Sequence, residues 1–232
     1  MVLGGVQKNS FIDYPGRISC VLFFSGCNFD CPYCHNPELV RGTSSCLRSL
    51  DEDAALSFLS KRRDFLDGVV ISGGEPTLNR DLRPFCEKIK TMGYRLKLDT
   101  NGSCPKMVDK LLEAGLVDYI AMDIKTDPYK YSRFISKTCS PENILSSIRI
   151  TMERAPAYEF RTTCVKPIVD EEIIGDISEI IKGAMLYALQ DVNQKEVLHP
   201  EFFKNGDSGF DHDELMVLKS IVEPCVKKCI VR

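Results

Sequence analysis

The chain has 232 residues, of which 44% are hydrophobic and 27% charged, and its formal net charge is −3. This length suits one core of moderate size, so we predict a single domain over residues 1–232. The weakly acidic balance excludes a large basic field for nucleic acid or an anionic membrane surface. Because no apolar run reaches about 18 residues and no secretory pattern opens the chain, we expect a cytoplasmic protein without a membrane segment.

Apolar runs with strand character alternate along the chain with segments of helical periodicity. Leu82, Phe85, Ile89 and Met92 recur at helical spacing before Gly93, which fits a helix C-terminus. The alternation predicts βα units around a parallel sheet. The strands are expected at residues 18–24, 69–72, 94–99, 119–123, 158–165 and 184–190, and further helices after a capping box at residues 49–52 and after Ser140-Pro141.

Three cysteines directly follow the first predicted strand. Cys27, Cys31 and Cys34 form a Cys-x3-Cys-x2-Cys cluster. Three thiolates at this spacing can hold three irons of a [4Fe-4S] cube and leave the fourth iron open to a small molecule. A structural zinc site closed by His35 is the alternative, although adjacency to Cys34 makes simultaneous ligation awkward.

A second motif ends the next predicted strand. Gly73-Gly74-Glu75-Pro76 interrupts the apolar run at residues 69–72. Paired glycines let a ligand approach the backbone closely, and Glu75 adds a carboxylate that can accept from an ammonium group. A tight strand-to-helix turn is the alternative reading of this motif alone.

Together the two motifs resemble those of the radical S-adenosylmethionine (SAM) superfamily, in which an aromatic residue, here Tyr33, precedes the last cysteine. The resemblance implies that Cys27, Cys31 and Cys34 hold a [4Fe-4S] cluster whose open iron binds SAM. One electron from the cluster then cleaves SAM to methionine and a 5′-deoxyadenosyl radical. It also implies an α/β fold, the superfamily's open, partial (β/α)6 TIM-like barrel, over residues 17–232 after a short N-terminal extension at residues 1–16. Six units are fewer than the eight of a closed barrel.

Finer matches concern the subfamily. Residues 5–16 and 26–39 are similar to the activating enzymes of glycyl radical enzymes, and most similar to those of anaerobic ribonucleoside-triphosphate reductase. The resemblance implies a glycyl radical enzyme as partner, with anaerobic ribonucleotide reductase expected, and a flavodoxin or ferredoxin-type electron donor. Two alternatives stay open: a radical SAM enzyme acting on a different peptide or a small molecule, and a non-enzymatic iron-sulfur electron-transfer protein.

The resemblance also implies a set of site residues at strand ends, where active groups collect in barrels. It assigns Lys125 a catalytic role beside the methionine and ribose of SAM, although a solvated pair with Asp123 is the simpler reading. Asp99, Thr100 and Asp123 form a possible site for a monovalent cation. The predicted SAM-binding residues are Tyr33, His35, Gly73, Gly74, Glu75, Thr100, Asn101, Asp123, Lys125, Arg161 and Gln190.

For some residues, more than one interpretation of their role remains open. Arg161 faces either the barrel interior or an outer-rim ion pair worth little. Pyruvate formate-lyase activase has a SAM-contacting histidine near the end of its last barrel strand; the corresponding residues 189–193 contain none here, so Gln190 is the expected substitute and His199 is left without a role. Cys225 and Cys229 are interpreted as structural residues of a final strand at residues 225–231, with a redox pair or part of an auxiliary cluster as the alternatives.

Overall fold

The structure is a computed structural model that describes residues 3–41, 51–204 and 208–232. One eight-stranded sheet carries the fold, and its spatial order follows the chain order. The strands are β1 Leu3–Ser10, β2 Ser19–Phe24, β3 Gly68–Gly73, β4 Arg95–Thr100, β5 Tyr119–Asp123, β6 Tyr158–Cys164, β7 Tyr187–Asp191 and β8 Cys229–Val231. Strands β2 to β8 are parallel, while β1 pairs antiparallel with β2.

Helices connect the parallel strands, as expected for βα units. Asp51 caps the second helix, its side chain accepting from the Ala54 amide at 2.7 Å. Ser49, in the predicted capping box, lies outside the described residues. Gly93 has a φ of +90° two residues beyond the third helix, which confirms the predicted stop. The helices are α1 Pro37–Arg41, α2 Glu52–Ser60, α3 Leu82–Thr91, α4 Pro105–Glu113, α5 Tyr131–Phe134, α6 Pro141–Arg154, α7 Glu171–Ile180 and α8 His212–Val222, with 3-10 turns at Pro76–Leu78, Pro128–Lys130 and Pro200–Phe203.

The two faces of the sheet differ in chemistry because side chains alternate along a strand. Ile71 and Leu98 face the helices in the main hydrophobic core. On the opposite face, Val21 and Val70 form a small apolar cluster with Tyr14. Polar and charged residues occupy this inner face nearer the C-terminal strand ends, where a cavity opens.

The six predicted barrel strands are confirmed as β2 to β7, and the partial barrel is confirmed with them. β7 begins at Tyr187, three residues later than predicted, and the final strand is limited to Cys229–Val231, so Cys225 precedes it. The predicted N-terminal extension contains a strand, β1, which sequence reasoning did not find. In the described part of the chain, β1 and β8 are the two edges of the sheet, so the barrel is open. No described helix is both long and apolar enough to span a bilayer.

Candidate active site

The three cysteines lie on the cysteine loop, residues 25–36, which follows β2. The Gly26 amide donates to the Leu39 carbonyl at 2.7 Å and closes the base of the loop. The Asp30 amide donates to the Ile135 carbonyl at 2.8 Å, and the Leu198 amide donates to the Cys34 carbonyl at 2.9 Å. Segments that are distant in sequence therefore fix the loop over the C-terminal ends of the strands.

The two glycines of the second motif pack directly against the start of the cysteine loop. Gly73 has a φ of +119°, and a Cβ there would overlap the backbone of Phe24. A Cβ on Gly74 would overlap the Gly26 carbonyl, which accepts a hydrogen bond from the Glu75 amide at 2.8 Å. The glycines are thus needed for contact between two backbones, in addition to the predicted approach of a ligand.

Glu75 lies beneath the cavity and does not line it, and only 2% of its surface is exposed. Its Oε1 accepts from the Thr77 amide at 3.0 Å, from the Thr77 hydroxyl, and from the Thr100 hydroxyl at 2.8 Å. Its Oε2 accepts from the Asn101 amide at 2.6 Å. Burial raises the pKa of Glu75, while these donors act to lower it. The structure therefore gives Glu75 a different place from the predicted ammonium acceptor: its oxygens join the ends of β3 and β4, a partnership that the sequence does not show.

A cavity of about 440 Å³ opens between the cysteine loop and the C-terminal strand ends. This volume lies in the range of small-molecule sites. The structure brings together around it every predicted site residue except Glu75. They are Cys27, Cys31, Tyr33, Cys34, His35, Gly73, Gly74, Asp99, Thr100, Asn101, Asp123, Lys125, Arg161 and Gln190.

A network of ion pairs forms the charged wall of the cavity. Arg161 faces the interior, with Nε 2.7 Å from Asp123 Oδ1 and Nη1 3.6 Å from Asp99 Oδ1. Lys125 Nζ lies 3.0 Å from Asp123 Oδ2, and Lys97 Nζ lies 2.5 Å from Asp99 Oδ1. Burial alone would raise the pKa of Asp123, but the neighbouring Arg161 and Lys125 outweigh it and hold the pKa at about 2. Lys125 and Arg161 line the cavity, where their cationic groups can meet an anionic group on a ligand, whereas Lys97 is buried and does not line it.

The predicted monovalent-cation site overlaps this network. The Arg161 guanidinium already pairs with Asp99 and Asp123, and the Thr100 hydroxyl donates to Glu75. The cation site stays a prediction, and a bound cation would compete with these partners.

The three thiols of the cysteine loop line one cavity and are the donor set of a [4Fe-4S] cluster. A cube places its three thiolates on separate irons. Burial raises the pKa of Cys27 to about 11 and that of Cys31 to about 12, so both are neutral thiols until a metal displaces their protons. The Tyr33 hydroxyl, buried beside them, has no hydrogen-bond partner among the described residues.

Comparison with known proteins agrees with this chemistry. The family model of the Radical SAM superfamily matches residues 21–180. The chain belongs to the radical SAM superfamily. Enzymes of this superfamily use a [4Fe-4S] cluster and SAM, and the cysteine-lined cavity has the donor set for the first. The protein is therefore a radical SAM enzyme with these cofactors.

Two curated relatives indicate to which group within the superfamily the chain belongs. A Methanocaldococcus jannaschii protein named as a glycyl-radical enzyme activating enzyme is 36% identical over 208 residues, which cover 88% of this chain and 85% of the relative. The pyruvate formate-lyase-activating enzyme of Listeria monocytogenes is 32% identical over 149 residues, covering 59% of this chain and 58% of that one. Within the superfamily, the chain therefore groups with the glycyl-radical enzyme activating enzymes.

Solved structures share the fold. Streptococcus suis SuiB bound to S-adenosylmethionine superimposes with a TM-score of 0.66 at 14% identity, covering 91% of this chain and 51% of that one. TYW1 with a lysine-pyruvate adduct gives a TM-score of 0.63 at 16% identity, covering 89% of this chain and 72% of that one. These likenesses show the radical SAM fold alone.

Sequence reasoning missed several residues at the site. Asp13 and Thr163 line the cavity, and Thr163 could have been found because it shares the inner face of β6 with Arg161. Asn28 Oδ1 accepts from Asn101 Nδ2 at 3.1 Å and joins the cysteine loop to the end of β4. Lys97 is 2% exposed inside the barrel, where a lysine has no signal in sequence apart from its i, i+2 spacing to Asp99.

Other highlighted residues lie away from the cavity. His199 contacts the outside of the cysteine loop, with Nε2 2.8 Å from Asp30 Oδ1 and Nδ1 2.9 Å from Glu201 Oε1. Cys229 is buried in β8, and Cys225 lies beside Glu179 with Sγ 3.6 Å from Oε1. Both cysteines are free thiols, and neither lines the cavity.

Proposed function

We propose that this protein activates a glycyl radical enzyme by cleaving SAM reductively and removing a hydrogen atom from a glycine of that partner. One observation carries the proposal: Cys27, Cys31 and Cys34 share a single cavity with two glycines and with the cations Lys125 and Arg161. The names of the curated relatives support the activating role.

Different residues around the cavity would bind the cluster and the separate groups of SAM. Cys27, Cys31 and Cys34 would hold the cluster, which when bound supplies the electron that breaks the carbon-sulfur bond of SAM. Gly73 and Gly74 line the cavity, so their backbone offers groups for the methionine ammonium. Lys125 and Arg161, which line the cavity, can attract the methionine carboxylate.

Uncharged groups complete the site on the far side of the barrel. Thr163 and Gln190 are paired in register on β6 and β7, and both line the cavity. Their hydroxyl and amide can bond the neutral ribose and adenine without adding charge. We assign Gln190 the place that a histidine takes in pyruvate formate-lyase activase.

We further propose that the partner is an anaerobic ribonucleotide reductase and that a flavodoxin or a ferredoxin-type protein delivers the electron. The similarity of residues 5–16 and 26–39 to the activating enzymes of that reductase supports this choice. The Listeria relative is named for pyruvate formate-lyase, so that enzyme is the natural competitor in any test.

The test of SAM cleavage is anaerobic reconstitution with iron and sulfide, reduction with dithionite, and chromatography for 5′-deoxyadenosine. Wild type is expected to form it, and Cys31→Ala is expected to lose it. Cys225→Ala is the matched control, because that thiol does not line the cavity. Intact SAM beside a fully formed cluster would contradict the proposal and favour an electron-transfer role. Formation of 5′-deoxyadenosine without a glycyl radical on either partner would favour a different substrate.

A further inference from the structure

A second cavity of about 590 Å³ adjoins the active cavity and shares Phe23, His35 and Asn36 with it. We call it the lateral groove, because its walls come from both sides of the open barrel. On one side is the beginning of β1, and on the other is the segment that follows β7. The residues of the groove used below are Gly4, Gly5, Glu38 and Glu196.

The β1 wall of the groove is a free strand edge. In the described part of the chain, β1 pairs with β2 and with no other strand. Its second half is exposed and polar, at Gln7, Lys8 and Asn9, and an edge lysine of this kind discourages further strand pairing. In the half beside the groove, Gly4 is buried, Gly5 is half-buried, and the register against β2 shifts between Leu3 and Gly5. A Cβ on Gly5 would meet no atom within 4 Å, so there is open space over the backbone.

The remaining walls of the groove are acidic. Glu38 from α1 and Glu196 from the segment after β7 are both exposed, and no lysine or arginine is among the described residues that line the groove. Glu196 has a φ of +54° and is the one non-glycine residue with positive φ in the described ranges. This conformation is uncommon outside glycine, and here it occurs at a groove wall.

We propose that the lateral groove receives an extended segment of the partner polypeptide, with basic side chains against Glu38 and Glu196 and its backbone beside the free edge of β1. Addition of a strand to an exposed edge is a common mode of peptide recognition, and main-chain hydrogen bonds supply its affinity. Because the groove joins the active cavity, a glycine in this segment reaches the site of radical formation. The inference rests on the proposed function and specifies how its substrate binds.

Binding of synthetic peptides to the reconstituted, SAM-loaded protein tests the inference. The probes are fluorescein-labelled Lys-Val-Thr-Gly-Val-Lys-amide and the same peptide with glutamate in place of both lysines, followed by fluorescence anisotropy. We expect the lysine peptide to bind wild type at least about tenfold more tightly, because like charges across an interface are unfavourable. The double variant Glu38→Lys/Glu196→Lys is expected to reverse the preference. Equal affinity of both peptides for wild type, or a preference unchanged in the double variant, would overturn the proposal.

Two controls separate charge from backbone pairing. Glu113→Lys/Glu153→Lys places the same charges on exposed positions of α4 and α6, and it should keep the wild-type preference. Gly5→Val introduces a residue that favours strands, so β1 should still form, but its side chain fills the open space in the groove. Both peptides should therefore bind at least about tenfold more weakly. Unchanged affinity in Gly5→Val would contradict pairing at the β1 edge.

The same wild-type preparation is assayed for 5′-deoxyadenosine without peptide. Absence of SAM cleavage together with charge-dependent peptide binding would refute the proposed function and leave the groove as a peptide site. Cleavage of SAM without charge-dependent peptide binding would refute peptide recognition in the lateral groove and leave the proposed function intact.

Discussion

Asp123 and Arg161 stand directly opposite one another on β5 and β6, and their side chains form the central ion pair of the cavity, with Arg161 Nε 2.7 Å from Asp123 Oδ1. Each side chain is mostly buried, at 14% exposure for Arg161 and 24% for Asp123. Removal of one partner from a buried pair leaves an uncompensated charge. The pair therefore links the stability of the barrel to the charge that the cavity presents to SAM.

Arg161→Met is expected to lower the free energy of unfolding by about 3 kcal/mol, because Asp99 and Asp123 lose a shared cation. Arg161→Lys keeps the charge and is expected to fold, with SAM affinity reduced because an ammonium group cannot bridge Asp99 and Asp123 as the planar guanidinium does. Urea unfolding and equilibrium dialysis with SAM measure the two effects. The control is Arg83→Met, which removes an exposed i, i+4 pair on α3 and should change stability by less than about 0.5 kcal/mol. SAM affinity unaffected in Arg161→Lys would contradict a ligand-facing role.

The depressed pKa of Asp123 predicts acid sensitivity. Its folded pKa is about 2 against an ordinary value of 3.8, so the ionised carboxylate stabilises the fold above pH 3.8. This contribution, about 2 kcal/mol, is lost as the pH falls from about 4 to about 2. Asp123→Asn should therefore flatten the pH dependence of the unfolding free energy in this window. A slope identical to that of wild type would show that other carboxylates control acid unfolding.

Gly74→Ala tests the contact between the glycine motif and the cysteine loop. Its new Cβ would overlap the Gly26 carbonyl, so the loop must shift, and we expect at least half of the bound iron per chain to be lost after reconstitution. Gly175→Ala in α7 is the matched control, since its Cβ meets no atom within 4 Å and alanine favours a helix by up to about 1 kcal/mol. Iron and sulfide analysis gives the measurement. Full iron content in Gly74→Ala would refute the proposed constraint.

His199 is predicted to hold the cysteine loop from outside. Its side chain bonds Asp30, and its amide donates to the Pro32 carbonyl at 3.1 Å. His199→Ala should release iron to a chelator several-fold faster than wild type, with unfolding midpoints little changed. His212→Ala, at the beginning of α8, should match wild type in both. Equal rates of iron loss in all three proteins would contradict a role of His199 in holding the cysteine loop.

The sequence predicts the parts of this site that are local in the chain. Cys27, Cys31 and Cys34 lie within one loop, and Gly73 and Gly74 end one strand, so their spacing alone indicates their chemistry. The six barrel strands follow for the same reason, because each is a contiguous apolar run. β1 escaped prediction because Gly4, Gly5 and a polar second half give it no apolar alternation.

The features that sequence reasoning left open or mistook all depend on contacts between strands. Arg161 could face either way until its register against Asp123 was known. Glu75 seemed free until Thr100 and Asn101 were placed beside it by the next strand. Asp99 and Asp123 suggest a cation site in sequence, but only the structure shows that they pair with Lys97, Lys125 and Arg161.

The most direct test of the proposed activation follows the hydrogen atom. Anaerobic ribonucleotide reductase labelled with deuterated glycine is incubated with the reduced, reconstituted protein and SAM, with labelled pyruvate formate-lyase in parallel. We predict one deuterium in 5′-deoxyadenosine by mass spectrometry and a glycyl radical signal on the reductase by electron paramagnetic resonance, with both lost in Cys31→Ala. Unlabelled 5′-deoxyadenosine and no radical on either partner would contradict it.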